Sequence, residues 1–105
     1  MEQSYAVDLA PDGDGWRIGL KGDIDVAADA QIRAALAHAL ARTGSHLVVD
    51  LGETSFLDST GINNLVLAHK AAQAASIQLI VRPGPASIMR TLRIAGIDWM
   101  LGLGD

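Results

Sequence analysis

The chain has 105 residues, half of them apolar and 19% charged, with a formal net charge of −4 and no cysteine. That size suits one domain, residues 1–105, with enough apolar material for a core and too little charge for a disordered chain. The absence of cysteine excludes a disulfide framework, a zinc–cysteine site, an iron–sulfur cluster and a thiol nucleophile, while the acidic balance and eight scattered basic residues argue against nucleic acid as a partner.

In chain order, residues 4–9 predict a first strand, and Pro11-Asp12-Gly13-Asp14-Gly15 a turn. Trp16 to Lys21 alternates apolar and polar residues, as a half-buried strand does, so the two strands form a hairpin. Gly22-Asp23-Ile24-Asp25 ends it, and Asp25 is placed to cap a helix from about Val26 to Arg42. Ile32, Leu36 and Leu40 recur on one face of that helix, with Ala35 and Ala39 beside them. Residues 46–51 are a nearly continuous apolar run, the pattern of a strand covered on both faces. A loop carrying Phe56 and Leu57 leads to Asp58-Ser59-Thr60-Gly61, which opens a second helix to about Ala75. Residues 77–81 predict another strand. Pro85 starts a third helix with Ile88, Met89, Leu92 and Ala95 on its apolar face, and Gly96 ends it. The short apolar tail 97–103 is expected to add a last strand. The order β-β-α-β-α-β-α-(β) is α/β.

No catalytic set emerges. His38, His46 and His69 have no ligand spacing, and no metal is expected. Asp12-Gly13-Asp14-Gly15 has the start of a calcium loop, but Trp16 and Arg17 stand where a ligand and a glycine are required, so it is read as a turn. Neither a dinucleotide fingerprint nor a P-loop occurs, and no cofactor is expected. Ser59 lacks the glycine two residues before it that a nucleophile elbow needs, since position 57 is Leu57. No run reaches the ~18–20 apolar residues of a membrane helix, so no membrane is expected as a partner. Met1-Glu2-Gln3-Ser4 is neither basic nor apolar and does not read as a secretory leader. A cytoplasmic protein is expected.

The hydroxyl pair Ser59 and Thr60 at a helix start has two compatible readings. One is capping of the first-turn amides. The other is modification: a phosphate adds about 1.5–2 negative charges to a partner-facing surface, while a helix N-terminus tolerates them.

Taken together, Gly22-Asp23-Ile24-Asp25, the strand Val48-Val49-Asp50-Leu51, the stretch Phe56-Leu57-Asp58-Ser59-Thr60-Gly61, and Leu92, Ala95 and Gly96-Ile97 resemble, in order and spacing over about 100 residues, the bacterial anti-sigma factor antagonists, which are stand-alone STAS domains. The resemblance implies a STAS fold, with a mixed sheet of about four to five strands and three to four helices. It also implies a regulator rather than an enzyme. In that family the unphosphorylated antagonist binds an anti-sigma factor that is also a serine kinase, which frees the sigma factor. Phosphorylation of the motif serine, here Ser59 rather than Thr60, releases the antagonist, and a serine/threonine phosphatase resets it. The partner surface implied comprises Asp23, Asp25, Asp58, Thr60, Gly61, Asn63 and Asn64, with its carboxylates facing basic groups on the partner. The chain departs from the pattern at Asp23, where glutamate is commoner, and at Asn63 and Asn64, where small or apolar residues are usual. A non-switching STAS scaffold, or an accessory subunit of a stress-sensing or transporter complex, is the alternative that the same resemblance leaves open. Gly61→Val is expected to damage the helix start, by backbone conformation or by packing.

Overall fold

The computed structural model describes residues 4–42 and 44–103. Met1–Gln3, on which most of the leader-peptide reading rests, lie outside them. The elements run β1 (Tyr5–Asp12), β2 (Gly15–Ile24), a 3-10 turn (Val26–Ala28), α1 (Asp29–Arg42), β3 (His46–Asp50), β4 (Thr54–Leu57), α2 (Ser59–Ala74), β5 (Gln78–Arg82) and α3 (Ala86–Ile94).

One mixed sheet carries the fold. β1 and β2 form the expected antiparallel hairpin, in register from Tyr5 opposite Gly22 to Asp12 opposite Gly15. Both strands are longer than the alternating pattern alone suggests, because the turn is only two residues wide and pairing begins directly at Gly15. The sheet order is β1-β2-β3-β5, and β4 also pairs with β2. Trp16–Gly19 pair in parallel with β3, and β3 pairs in parallel with β5. The far end of β2, Gly22–Ile24, pairs in parallel with β4.

β4 is a strand where the sequence predicts a loop. Four residues are too few to show a period. The pairing is decided by tertiary context, namely the free edge of a ten-residue β2 and the buried Thr54, whose hydroxyl donates to the Leu20 carbonyl at 2.5 Å. The register shifts between Gly22 and Asp23. Gly22 sits there at φ +77°, and a Cβ would collide with the Ser4 carbonyl oxygen, so the bulge requires glycine.

The expected strand over 97–103 is absent. Leu101 and Leu103 both donate to the Asp98 carbonyl and Gly102 to that of Trp99, so the segment is a pair of turns. Its apolar residues serve packing instead: Ile97 and Leu101 are buried in the core. α1 begins at Asp29 rather than Val26, because residues 26–28 form the tighter 3-10 turn.

The core is one cluster. Ile18, Leu20 and Ile24 of β2 and Leu47 and Val49 of β3 meet Ile32, Leu36 and Ala39 of α1, Leu65 and Ala68 of α2, and Ile88 and Leu92 of α3. Alternation along the strands puts Ala6, Asp8, Arg17, Gly19, Lys21 and Asp50 on the other face of the sheet. Leu40 is half-buried and borders the core rather than filling it. Among the described residues no helix is long and apolar enough to cross a membrane.

Candidate functional site

Parallel pairing of β2 with β4 ends both strands at the same place. Asp23 lies opposite Phe56 and Ile24 opposite Leu57. The chain then leaves β2 through Asp25 and β4 through Asp58, so Gly22-Asp23-Ile24-Asp25 and Asp58-Ser59-Thr60-Gly61 become neighbours. The Asp58 amide donates to the Ile24 carbonyl at 3.2 Å, which fixes the start of α2 against the end of β2.

Both flanking aspartates are helix caps. Asp25 Oδ1 accepts from the Ala27 amide at 2.9 Å, closing the 3-10 turn. Asp58 Oδ1 accepts from the amides of Thr60 at 2.9 Å and Gly61 at 3.2 Å. An aspartate at this position satisfies first-turn donors that otherwise face the solvent unpaired. Asp23 makes no side-chain hydrogen bond or ion pair among the described residues and is half-exposed, so its charge faces outward.

Ser59 is the first residue of α2 and is exposed. Its hydroxyl takes no part in the cap, which the Asp58 carboxylate makes alone. Thr60 is half-buried and contributes its backbone. Its amide is held by Asp58, and its carbonyl accepts from Asn64 Nδ2 at 3.1 Å. Asn63 is exposed on the same turn.

Two of the expected surface residues are not on the surface. Gly61 is buried, and a Cβ there would collide with Leu57 Cδ1 and lie 3.1 Å from Ile24 Cγ2. Its φ is not positive, so the site needs a glycine for close approach, not for backbone freedom. Asn64 is 1% exposed. Helical spacing turns it inward from Asn63, and its amide nitrogen donates to Asp29 Oδ1 at 2.8 Å, linking α2 to the start of α1. Its Oδ1 has no hydrogen-bond partner among the described residues. The Asn64 amide and the Arg33 guanidinium, both hydrogen-bonded to Asp29, hold the Asp29 carboxyl below the usual carboxylate range.

Two exposed apolar residues, Phe56 of the motif stretch and Val26, which the sequence does not single out, border this end of the sheet. Val26 is 74% exposed and Phe56 51% exposed. The signal for Val26 in the sequence is only that it adjoins Asp25. The histidines are elsewhere. His46 Nε2 is 2.9 Å from Asp12 Oδ2 and its Nδ1 is 2.8 Å from Ser45 Oγ, across the hairpin turn. The His38 ring meets Trp16 edge-on.

The family model described as "Mlab, STAS domain" matches residues 7–102. The chain belongs to the STAS-domain family. The mixed sheet, the three helices and the α2 start just described are that fold. The STAS chain is similar to a solved anti-sigma factor antagonist from Mycobacterium paratuberculosis, with a TM-score of 0.76 at 20% identity, over 91% of this chain and 81% of that one. It is similar to the anti-sigma factor antagonist SpoIIAA in its unphosphorylated form, with a TM-score of 0.75 at 20% identity, over 95% of this chain and 100% of the other. Bacillus SpoIIAA in the phosphorylated form gives 0.72 at 22% identity, over 92% and 86% of the two chains.

Proposed function

We propose that this STAS domain is an anti-sigma factor antagonist switched by phosphorylation at Ser59. In this reading the unphosphorylated form binds an anti-sigma factor with serine kinase activity and so releases a sigma factor. Phosphorylation ends binding, and a serine/threonine phosphatase restores it. The domain acts as a substrate and a switch in the cytoplasm, not as an enzyme.

One observation carries the reading: Ser59 is exposed at the start of α2 with a hydroxyl that makes no hydrogen bond among the described residues. A kinase can modify it without removing a structural contact. The Asp58 carboxylate already occupies the Thr60 and Gly61 amides, so a phosphate on Ser59 is not drawn back onto them. It adds about 1.5–2 charges beside Asp58 and toward solvent. A partner surface suited to Asp23, Asp25 and Asp58 then meets excess negative charge and a strongly hydrated group. Each 1.4 kcal/mol so lost weakens binding about tenfold. The similarity in fold to solved anti-sigma factor antagonists supports the reading. Mass spectrometry of the protein isolated from its own cells tests it: phosphate on Ser59 is expected, and phosphate on Thr60 alone or on neither residue counts against it.

Membership of the STAS family leaves open a second reading, a subunit that stays bound to its assembly whatever the charge at position 59. A stable complex that survives Ser59→Asp distinguishes it.

A further inference from the structure

The sheet face opposite the helices holds an open groove of about 300 Å³, lined by Asp8, Ala10, Arg17, Gly19, Lys21 and Asp50 and closed at one end by Gly52 and Glu53. Every lining residue belongs to β1, β2, β3 or the turn after β3. On that face β2 presents Arg17, Gly19 and Lys21, whereas Val48 of β3, beside Arg17 in register, is buried at 1% exposure.

Gly19 makes the groove. A Cβ at that position would be accommodated, in ordinary van der Waals contact with Asp8 Cβ at 3.8 Å. The charges around it fall into two sets. Lys21 is satisfied, bonded to Asp8 at 2.9 Å and to Glu53 at 3.3 Å. Arg17 is exposed and makes no ion pair among the described residues. Asp50 accepts from the Gly52 amide at 2.8 Å but has no cationic partner there either. Arg82, its neighbour in register on β5, is likewise exposed.

We propose that this face docks a second copy of the same chain about a two-fold axis, with Arg17 of each copy entering the Gly19 groove of the other and pairing with its Asp50. Arg17 and Gly19 lie on one strand and one face, about 7 Å apart at strand spacing, and Asp50 stands opposite Gly19 in register. An axis between positions 17 and 19 therefore makes both contacts at once, as an isologous interface requires.

The charge count favours a self-complementary occupant. The chain as a whole is at −4, yet this face sets Arg17, Lys21 and Arg82 against Asp8, Asp50 and Glu53. A strongly charged partner finds no net complement there. A small ligand finds an open, charged groove rather than an enclosed and mostly apolar pocket. The sheet face is on the order of 300 Å² in projection, against roughly 800 Å² per partner in a stable interface, so the association is weak and concentration-dependent. It does not depend on the switch reading, because α2 and Ser59 belong to the helical side.

Sedimentation equilibrium from about 10 µM to about 1 mM tests it. The wild-type weight-average mass should rise toward twice the monomer. Arg17→Asp should weaken the association tenfold or more, and so should Gly19→Gln, which fills the groove at a position with room for a side chain. Mixing Arg17→Asp with Asp50→Arg should restore it by placing an opposite pair across the axis. Far-UV circular dichroism establishes that each variant is folded. A wild type that stays monomeric at about 1 mM overturns the proposal, as does a dimer indifferent to Arg17→Asp and Gly19→Gln. Shifts of the Gly19 and Asp50 amides on adding glycine to a monomeric wild type assign the groove to a small zwitterion instead, which also overturns it.

Discussion

The amide of Asp58 donates to the carbonyl of Ile24 at 3.2 Å, and that bond joins the two motifs on which the proposed function rests. It ties the first residue before α2 to the last residue of β2. The capping carboxylate of Asp58 and the outward charge of Asp23 are thereby held at one end of the sheet. The exposed hydroxyl of Ser59 is presented on a helix turn fixed from both sides, by the Asp58 carboxylate and by Asn64 on the Thr60 carbonyl.

Because Asp58 alone makes the cap, neighbouring hydroxyl and carboxyl deletions should differ. Asp58→Ala should cost about 1 kcal/mol, within the range for a lost N-cap. Ser59→Ala should fall within about 0.5 kcal/mol of wild type, as a surface change does. Urea unfolding of the two variants checks the difference. Equal losses would give the serine a share in the cap.

Gly61 should tolerate no side chain. Its position against Leu57 and Ile24 predicts that Gly61→Ala costs about 1–3 kcal/mol by overpacking and Gly61→Val more. The damage should be to packing: Gly61→Ala paired with Leu57→Ala should recover part of what the first change loses, measured as a non-additive double-mutant cycle.

Asn64 is buried with one unpartnered oxygen. Asn64→Leu removes that orphan and leaves Asp29 to Arg33 and water, so stability should change by less than about 1.5 kcal/mol. Asn64→Asp sets a buried carboxylate against Asp29 and the Thr60 carbonyl and should cost about 3 kcal/mol or more at pH 7. Thermal unfolding of both variants checks the contrast.

The Asp29 carboxyl is held below its ordinary value of 3.8 by Asn64 and Arg33. A carboxyl that is more acidic folded than unfolded contributes stability above the unfolded value, and that contribution disappears as pH falls through the folded one. Acid titration should therefore show Asp29→Asn losing less stability than wild type below about pH 3.8, with the two curves parallel near neutrality. Identical curves throughout would remove Asp29 from the acid transition.

Much of the fold is legible in the sequence because its elements are regular. The alternation of β2 states which face is buried, the apolar run of β3 states that both faces are, and the stripe Ile32, Leu36 and Leu40 marks the inner face of α1, although Leu40 only borders the core. β4 is not legible, since four residues carry no period and their pairing depends on the bulge at Gly22. Nor is the turn structure of 97–103, where apolar residues bury themselves without pairing. The site was legible as a motif but not as geometry. Asp58 and Ser59 read alike as capping residues, and only the structure separates the one that caps from the one that is free. Asn63 and Asn64 are adjacent and identical, yet the helix turns one to solvent and the other into the interface between α1 and α2.

In the proposed switch, charge at position 59 controls partner binding. Its most direct test is affinity capture from the native lysate with wild type, Ser59→Ala and Ser59→Asp in parallel, with all three shown to be folded. A serine kinase retained by wild type and Ser59→Ala and lost by Ser59→Asp is the expected result. A partner retained equally by all three would contradict it and establish a STAS subunit that does not switch.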